Sequence, residues 1–209
     1  MNRVRIKFCG ITRPADALCA VELGADAVGL NFYRGSQRCV DFETAGEIIS
    51  VLPPFISKVG LFVNQDEDEI RMIINGLPLD YLQFHGDESP QDCSRYDKPY
   101  IKSIKMTDTV DLVLESGKYH QCAGLLLDAY VEGMAGGTGQ KFDWARVPSV
   151  LTRPVILAGG LTPENVKAAV IQVKPFAVDV SSGVESSPGI KDPDKMAAFV
   201  NEVTRLWKR

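Results

Sequence analysis

Residues 4–9 read Val4-Arg5-Ile6-Lys7-Phe8-Cys9, a turn follows at Gly10-Ile11-Thr12, and Pro14 to Leu23 run up to Gly24. The reading of this stretch decides the fold. The first six residues are a short apolar run with basic residues interspersed, of strand length. The second segment puts Ala17, Leu18, Val21 and Leu23 on or near one helical face, and Gly24 stands where a helix C-terminal glycine belongs. The unit is therefore strand, tight turn, helix, stop.

The same unit recurs outward along the chain. Further strand-like runs lie at Ala27 to Phe32, Ile56 to Val63, Tyr81 to Phe84, Pro99 to Ile104, Ala123 to Leu127, Val155 to Ala158 and Phe176 to Val180. Helical spacing occupies Glu43 to Leu52, Glu67 to Asn75, Thr109 to Gly117, Pro163 to Val173 and Pro193 to Trp207. Shorter helices are expected near Ser89 to Tyr96 and Trp144 to Leu151. Several strand runs are continuously apolar, which suits parallel strands covered on both faces and joined by crossover helices. Eight such units predict an α/β fold with a single domain over residues 1–209, a (β/α)8 TIM barrel near the lower end of its size range. An open doubly wound sheet would bind at a switch point beside a G-x-G-x-x-G turn, and no strand here is followed by one.

Composition narrows the function classes. With 45% hydrophobic and 24% charged residues the chain is ordinary globular material. A net charge of −4 offers no basic footprint, so nucleic acid is not expected as a partner. No stretch approaches the roughly 20 apolar residues that cross a bilayer, and no signal-peptide core follows Met1, so a cytoplasmic setting without a membrane partner is expected. Cys9, Cys19, Cys39, Cys93 and Cys122 are scattered and odd in number, which suits reduced thiols. His85 and His120 are the only histidines, and without a third ligand in recognisable spacing no catalytic metal is expected. Met1 and Trp207-Lys208-Arg209 are expected to be natural termini.

In a barrel the reactive residues gather at the C-terminal ends of the strands. The first strand ends at Cys9, the second leads to Arg34 and Arg38, the fourth to Gln83 and His85, and the sixth to Asp128. The seventh and eighth end in Ala158-Gly159-Gly160-Leu161 and Asp179-Val180-Ser181-Ser182-Gly183. Glycine loops at these last two positions form the usual barrel phosphate site, because bare backbone and helix-terminal amides approach an anion closely; each could also be a plain tight turn. A small phosphorylated substrate is the expected partner. Cys9 is either a buried small hydrophobe or a thiolate lowered in pKa by nearby cations to serve as a base. Asp128 is either a cap or arginine partner, or an acid, since a carboxyl group in an apolar mouth holds a proton to higher pH and can donate it. Arg34 and Arg38 compete as the fork for a substrate carboxylate. Gly136-Gly137-Thr138-Gly139 reads either as a covering loop or as a plain connection.

Lys7-Phe8-Cys9-Gly10-Ile11-Thr12 resembles the opening of the phosphoribosylanthranilate isomerase family. Similar signatures follow in order at residues 24–29, Ser36-Gln37-Arg38, 59–64, Leu82-Gln83-Phe84-His85-Gly86, 136–139 with Phe142-Asp143-Trp144, 158–166 and 179–185. The resemblance spans nearly the whole chain; the glycine-loop motifs also occur in other phosphate-binding barrels, whereas the cysteine-bearing opening is specific. Departures are Phe8, where an aliphatic residue is commoner, and Cys39, where an aromatic or aliphatic one is usual. The resemblance implies a cofactor-free Amadori rearrangement of N-(5′-phosphoribosyl)anthranilate to 1-(o-carboxyphenylamino)-1-deoxyribulose 5-phosphate in tryptophan biosynthesis. It assigns Cys9 as general base, Asp128 as general acid, Arg38 to the anthranilate carboxylate, and the backbone at Gly159, Gly160, Ser182 and Gly183 to the phosphate. His85 and Asp179 also fall on family positions, with no role attached. Rival readings are a non-catalytic sugar-phosphate-binding barrel or another phosphate-binding barrel enzyme of the same pathway.

Overall fold

The computed structural model describes residues 3–129 and 142–206. The expected covering loop at Gly136 to Gly139 and the readings of Met1 and residues 207–209 lie outside them. Eight strands, β1 (Arg5–Cys9), β2 (Ala27–Asn31), β3 (Ser57–Phe62), β4 (Tyr81–Phe84), β5 (Tyr100–Met106), β6 (Gly124–Ala129), β7 (Val155–Leu157) and β8 (Ala177–Val180), pair in parallel in chain order. β8 then returns to β1 and closes the barrel. Around it lie α1 (Pro14–Glu22), α2 (Phe42–Ser50), α3 (Glu67–Gly76), α4 (Pro90–Ser94), α5 (Leu112–Lys118), α6 (Val166–Val173) and α7 (Pro193–Thr204). The expected strands all form, with ends shifted by two residues at most.

Local chemistry explains the helix boundaries. Gly24 adopts φ +88° just past α1, the left-handed geometry that ends a helix. Asp41 caps α2 by accepting from the Thr44 amide at 2.8 Å, and Ser89 and Asp92 form a reciprocal capping box on α4. Three expectations need correction. α5 begins at Leu112 rather than Thr109, where the Asp111 side chain caps it by accepting from the Val113 and Leu114 amides. The segment expected to be helical over Trp144 to Leu151 is only a 3-10 turn at Trp144–Arg146, for Pro148 supplies no amide to continue it. α6 begins at Val166 rather than Pro163 because the Asn165 side chain accepts from the Thr162 amide and donates to the Gly160 carbonyl, holding 162–165 as a separate turn. After β8 a 3-10 turn (Ser182–Val184) leads to a small hairpin of β9 (Glu185–Ser187) and β10 (Ile190–Lys191) that the pattern did not foreshadow.

Strand alternation sorts the side chains into two cores. Outward residues, such as Ile6, Phe8, Leu30, Phe62, Leu82, Leu125 and Val178, join the main core under the helices. Inward residues Val59, Ile101, Leu126, Ile156, Ala158 and Ala177 form a second cluster inside the barrel. On β1 this leaves Lys7 and Cys9 facing inward while Phe8 packs outward on Phe199 of α7, ring centroids 6.2 Å apart. No helix among the described residues is long and apolar enough to cross a membrane.

Phe8 is fully buried at the junction of barrel and last helix. Phe8→Ala is expected to lower the unfolding free energy by about 3–5 kcal/mol, measured by urea denaturation. A loss under about 1 kcal/mol would mean that α7 does not lean on this ring.

Candidate active site

Inward alternation carries through to the C-terminal ends of the strands, where a cavity opens among the strand ends and the loops that follow them. Cys9, Arg38, Asp128, Gly159, Gly160, Ser182 and Gly183 all line it, so the structure brings together every residue singled out for catalysis or binding. Gln83, His85 and Asp179 line it too. The competing arginine does not: the Arg34 side chain is 86% exposed and pairs with Glu69 at 3.0 Å. His120 is exposed and away from the site.

Cys9 ends β1 opposite Gly29 in register. A Cβ on Gly29 would stand 2.8 Å from Cys9 Sγ and 3.0 Å from Lys7 Nζ, so the missing side chain is what lets both groups meet there. Of the two readings left open for Cys9, burial is the one the resting thiol shows, and it pushes the thiol above its ordinary value. The Lys7 charge and hydrogen bond pull the other way, as does Lys191, while Asp179 adds to the rise.

Asp128 near the end of β6 is oriented by a chain of side chains from β4. Its Oδ2 lies 3.0 Å from His85 Nε2, and His85 Nδ1 lies 3.0 Å from Gln83 Nε2. With the Gln83 amide donating to Nδ1, the ring proton sits on Nε2 and is donated to Oδ2 of Asp128, which leaves Oδ1 outside this chain. The other carboxylate oxygen, Oδ1, faces Gly159, where a Cβ would come within 2.9 Å of it.

Arg38 is held side-on. Its Nε and Nη2 donate to the two oxygens of Glu185, each at 2.8 Å, and Lys191 Nζ donates to the same carboxylate at 2.8 Å. Burial alone would raise the Glu185 pKa, but the Arg38 and Lys191 contacts outweigh it and hold the carboxyl below its ordinary range. Lys191 is itself lowered, since burial exceeds what Glu185 returns. The trio keeps an excess of one positive charge beside the mouth, where an anionic group of a ligand would sit.

The two glycine loops face each other across the β7–β8 end. Gly159 and Gly160 have φ +78° and +62°, left-handed values natural to glycine. A Cβ on Gly183 would fall 1.9 Å from the Leu161 carbonyl, so the two loops approach backbone to backbone. Sequence reasoning missed Glu185 and Lys191 because they lie on the unforeseen hairpin. It attached no role to His85. The signal available for Lys7 and Asp179 was a charged residue at an inward position of an apolar strand.

Comparison with known proteins follows the same lines. Residues 6–202 match the family model for N-(5′-phosphoribosyl)anthranilate isomerase. The chain is 54% identical over 205 residues to N-(5′-phosphoribosyl)anthranilate isomerase of Pseudomonas fluorescens, covering 98% of each sequence. Among solved structures it is similar to phosphoribosyl anthranilate isomerase from Thermotoga maritima, with TM-score 0.89 and 40% identity over 97% of this chain and 99% of that one. It is also similar to a phosphoribosyl anthranilate isomerase in complex with reduced 1-(o-carboxyphenylamino)-1-deoxyribulose 5-phosphate, with TM-score 0.83 and 38% identity over 97% and 99% of the two chains.

Glu185→Gln leaves the buried Lys191 uncompensated and is expected to cost about 3–5 kcal/mol at pH 7. A carboxylate whose folded-state pKa is depressed contributes stability above its unfolded pKa and loses it as pH falls through the folded one. The gap between wild type and variant should therefore narrow as urea unfolding is repeated downward from pH 7. A constant gap down to acid unfolding would mean that packing, not charge, is what the variant loses.

Proposed function

The chain belongs to the N-(5′-phosphoribosyl)anthranilate isomerase family, an enzyme of tryptophan biosynthesis, and on that premise we propose that residues 1–209 form one catalytic barrel domain in which Cys9 is the general base and Asp128 the general acid. The observation that carries the assignment is their arrangement around the ring. Asp128 stands near the end of β6 and Cys9 at the end of β1, with the β7 and β8 glycine loops between them on the closed sheet. A sugar phosphate anchored at those loops would lie with its ribose between an acid on one side and a base on the other.

The bond changes follow from the two roles. Asp128 gives a proton to the ribose ring oxygen, the C1–O bond breaks, and the nitrogen lone pair forms the Schiff base. Cys9, as thiolate, takes the C2 proton, and the electrons move to give an enolamine that becomes the ketone of 1-(o-carboxyphenylamino)-1-deoxyribulose 5-phosphate. His85 fixes the direction of the Asp128 carboxyl. Backbone at Gly159, Gly160, Ser182 and Gly183 takes the phosphate; at 159 and 183 a Cβ would clash with the Ala129 amide and the Leu161 carbonyl, so only glycine lets the two loops pack as they do. Arg38 uses the guanidinium N–H groups that Glu185 leaves unoccupied to take the anthranilate carboxylate. No cofactor enters this scheme. Five free thiols support a reducing, cytoplasmic setting.

The test follows the loss of phosphoribosylanthranilate fluorescence with purified protein in wild type, Cys9→Ser and Asp128→Asn. Each substitution is expected to lower kcat by at least about 100-fold, as removal of a general acid or base does. Binding of the reduced product analogue without turnover by folded wild type would instead identify a binding barrel.

A further inference from the structure

One layer below the rim, the interior of the barrel carries an ion pair that the scheme above does not use. Lys7 Nζ donates to Asp179 Oδ1 at 2.9 Å, and both side chains are nearly fully buried, 5% and 7% exposed. The β1–β8 register sets the two residues directly side by side. The neighbouring interior layer is apolar, built from residues such as Val59, Ile101, Leu126 and Ile156. A buried pair in such surroundings is a poor stabilising device, because desolvation offsets most of the attraction and well-packed apolar residues do as well or better. Its position suggests another purpose. Lys7 is two residues before Cys9 on the same inward face, and the two side chains converge on the space above Gly29.

We infer that Lys7 is a positioning residue for Cys9: its ammonium, anchored by Asp179, is the buried counter-ion of the Cys9 thiolate. This rests on Cys9 being the base. Among the described residues, the charged groups that face the thiol are Lys7 on β1, Asp179 on β8, Lys191 on β10 and Arg38 after β2. Lys7 is the largest influence opposing the burial that keeps the thiol protonated. Burial also works against the Lys7 charge, but Asp179 and then Cys9 outweigh it and hold the amine protonated. Lys7 therefore keeps its three protons throughout. The thiol proton leaves to solvent through the mouth, the thiolate takes the C2 proton, and the ammonium remains the fixed charge beside the sulfur in both steps. At a separation of a few ångströms in a site shielded from water, such a charge counts for far more than at the surface.

The test measures the thiol itself. Iodoacetamide alkylation of Cys9, resolved from the other four cysteines by mass spectrometry, is compared for wild type, Lys7→Met and Lys7→Met/Asp179→Asn. The double variant replaces the pair by uncharged groups, so it is the one expected to fold should the lone Asp179 carboxylate prove too costly. In the double variant alkylation at pH 8 is expected to slow by at least about tenfold, equivalent to about one pH unit in the thiol, and in the single variant by more, because Asp179 then opposes the thiolate unaided. The same variants should lose kcat at neutral pH, regain it as pH rises, and keep KM within about threefold, a pattern that loosened packing does not produce. Unchanged alkylation in the folded double variant overturns the inference whatever the activity. Activity retained by Cys9→Ser would overturn the base assignment instead, and the alkylation rates would still report whether Lys7 faces the thiolate.

Discussion

The pairing of β8 with β1 is the contact on which the rest depends. It brings together residues some 170 positions apart in the chain, setting Lys7 beside Asp179 and Phe8 beside Val180. In an open sheet the same eight strands would leave β1 at one edge and β8 at the other, each with unpaired amides and carbonyls. The cysteine at the end of β1 would then lie a full sheet width from the glycine loops after β7 and β8. Closure removes both edges and sets aspartate, glycine loops and cysteine in consecutive sectors around one mouth.

Closure also creates a narrow interior whose upper layers are polar and whose lower ones are apolar. The polar groups there are organised as directional pairs and chains. Gln83 orients His85 and His85 orients Asp128. Glu185 and Lys191 orient Arg38, and Asp179 orients Lys7. In the first two cases the residue aimed at the cavity is held by a partner that is more deeply placed or on another element. Such partners reduce the conformational freedom lost when a ligand arrives, at a cost in desolvation that the large outer core under the helices sustains.

Backbone sterics set a further limit. At Gly29 the absent side chain is the space in which the Cys9 sulfur and the Lys7 ammonium meet, and at Gly183 it is the space through which the last loop touches the Leu161 carbonyl. Both sites need volume to be missing, so the residue type there follows from what approaches rather than from the strand or turn it belongs to.

The barrel was legible in the sequence because its signals are local. Two-residue alternation, helical spacing and glycine or proline stops can be read within windows of about ten to twenty residues, and the eight strands formed where those signals lay. The same periodicity placed Cys9 and Asp128 at strand ends, which in this architecture is the mouth. Where a side chain reached into the backbone, as Asn165 does at Thr162 and Gly160, the helix start moved out of reach of pattern reading. The hairpin of β9 and β10 was equally hidden, because strands of two or three residues carry no period. The Glu185 fork and the Lys7–Asp179 pair were decided by tertiary structure alone, and residue chemistry left Arg34 and Arg38 equal until the family resemblance favoured Arg38 and the fold placed it in the cavity. The sequence determined which way each residue faces, for that depends on its neighbours in the chain; which group it meets depends on register across the closed sheet, and between Arg38 and Glu185 that means a contact spanning 147 positions.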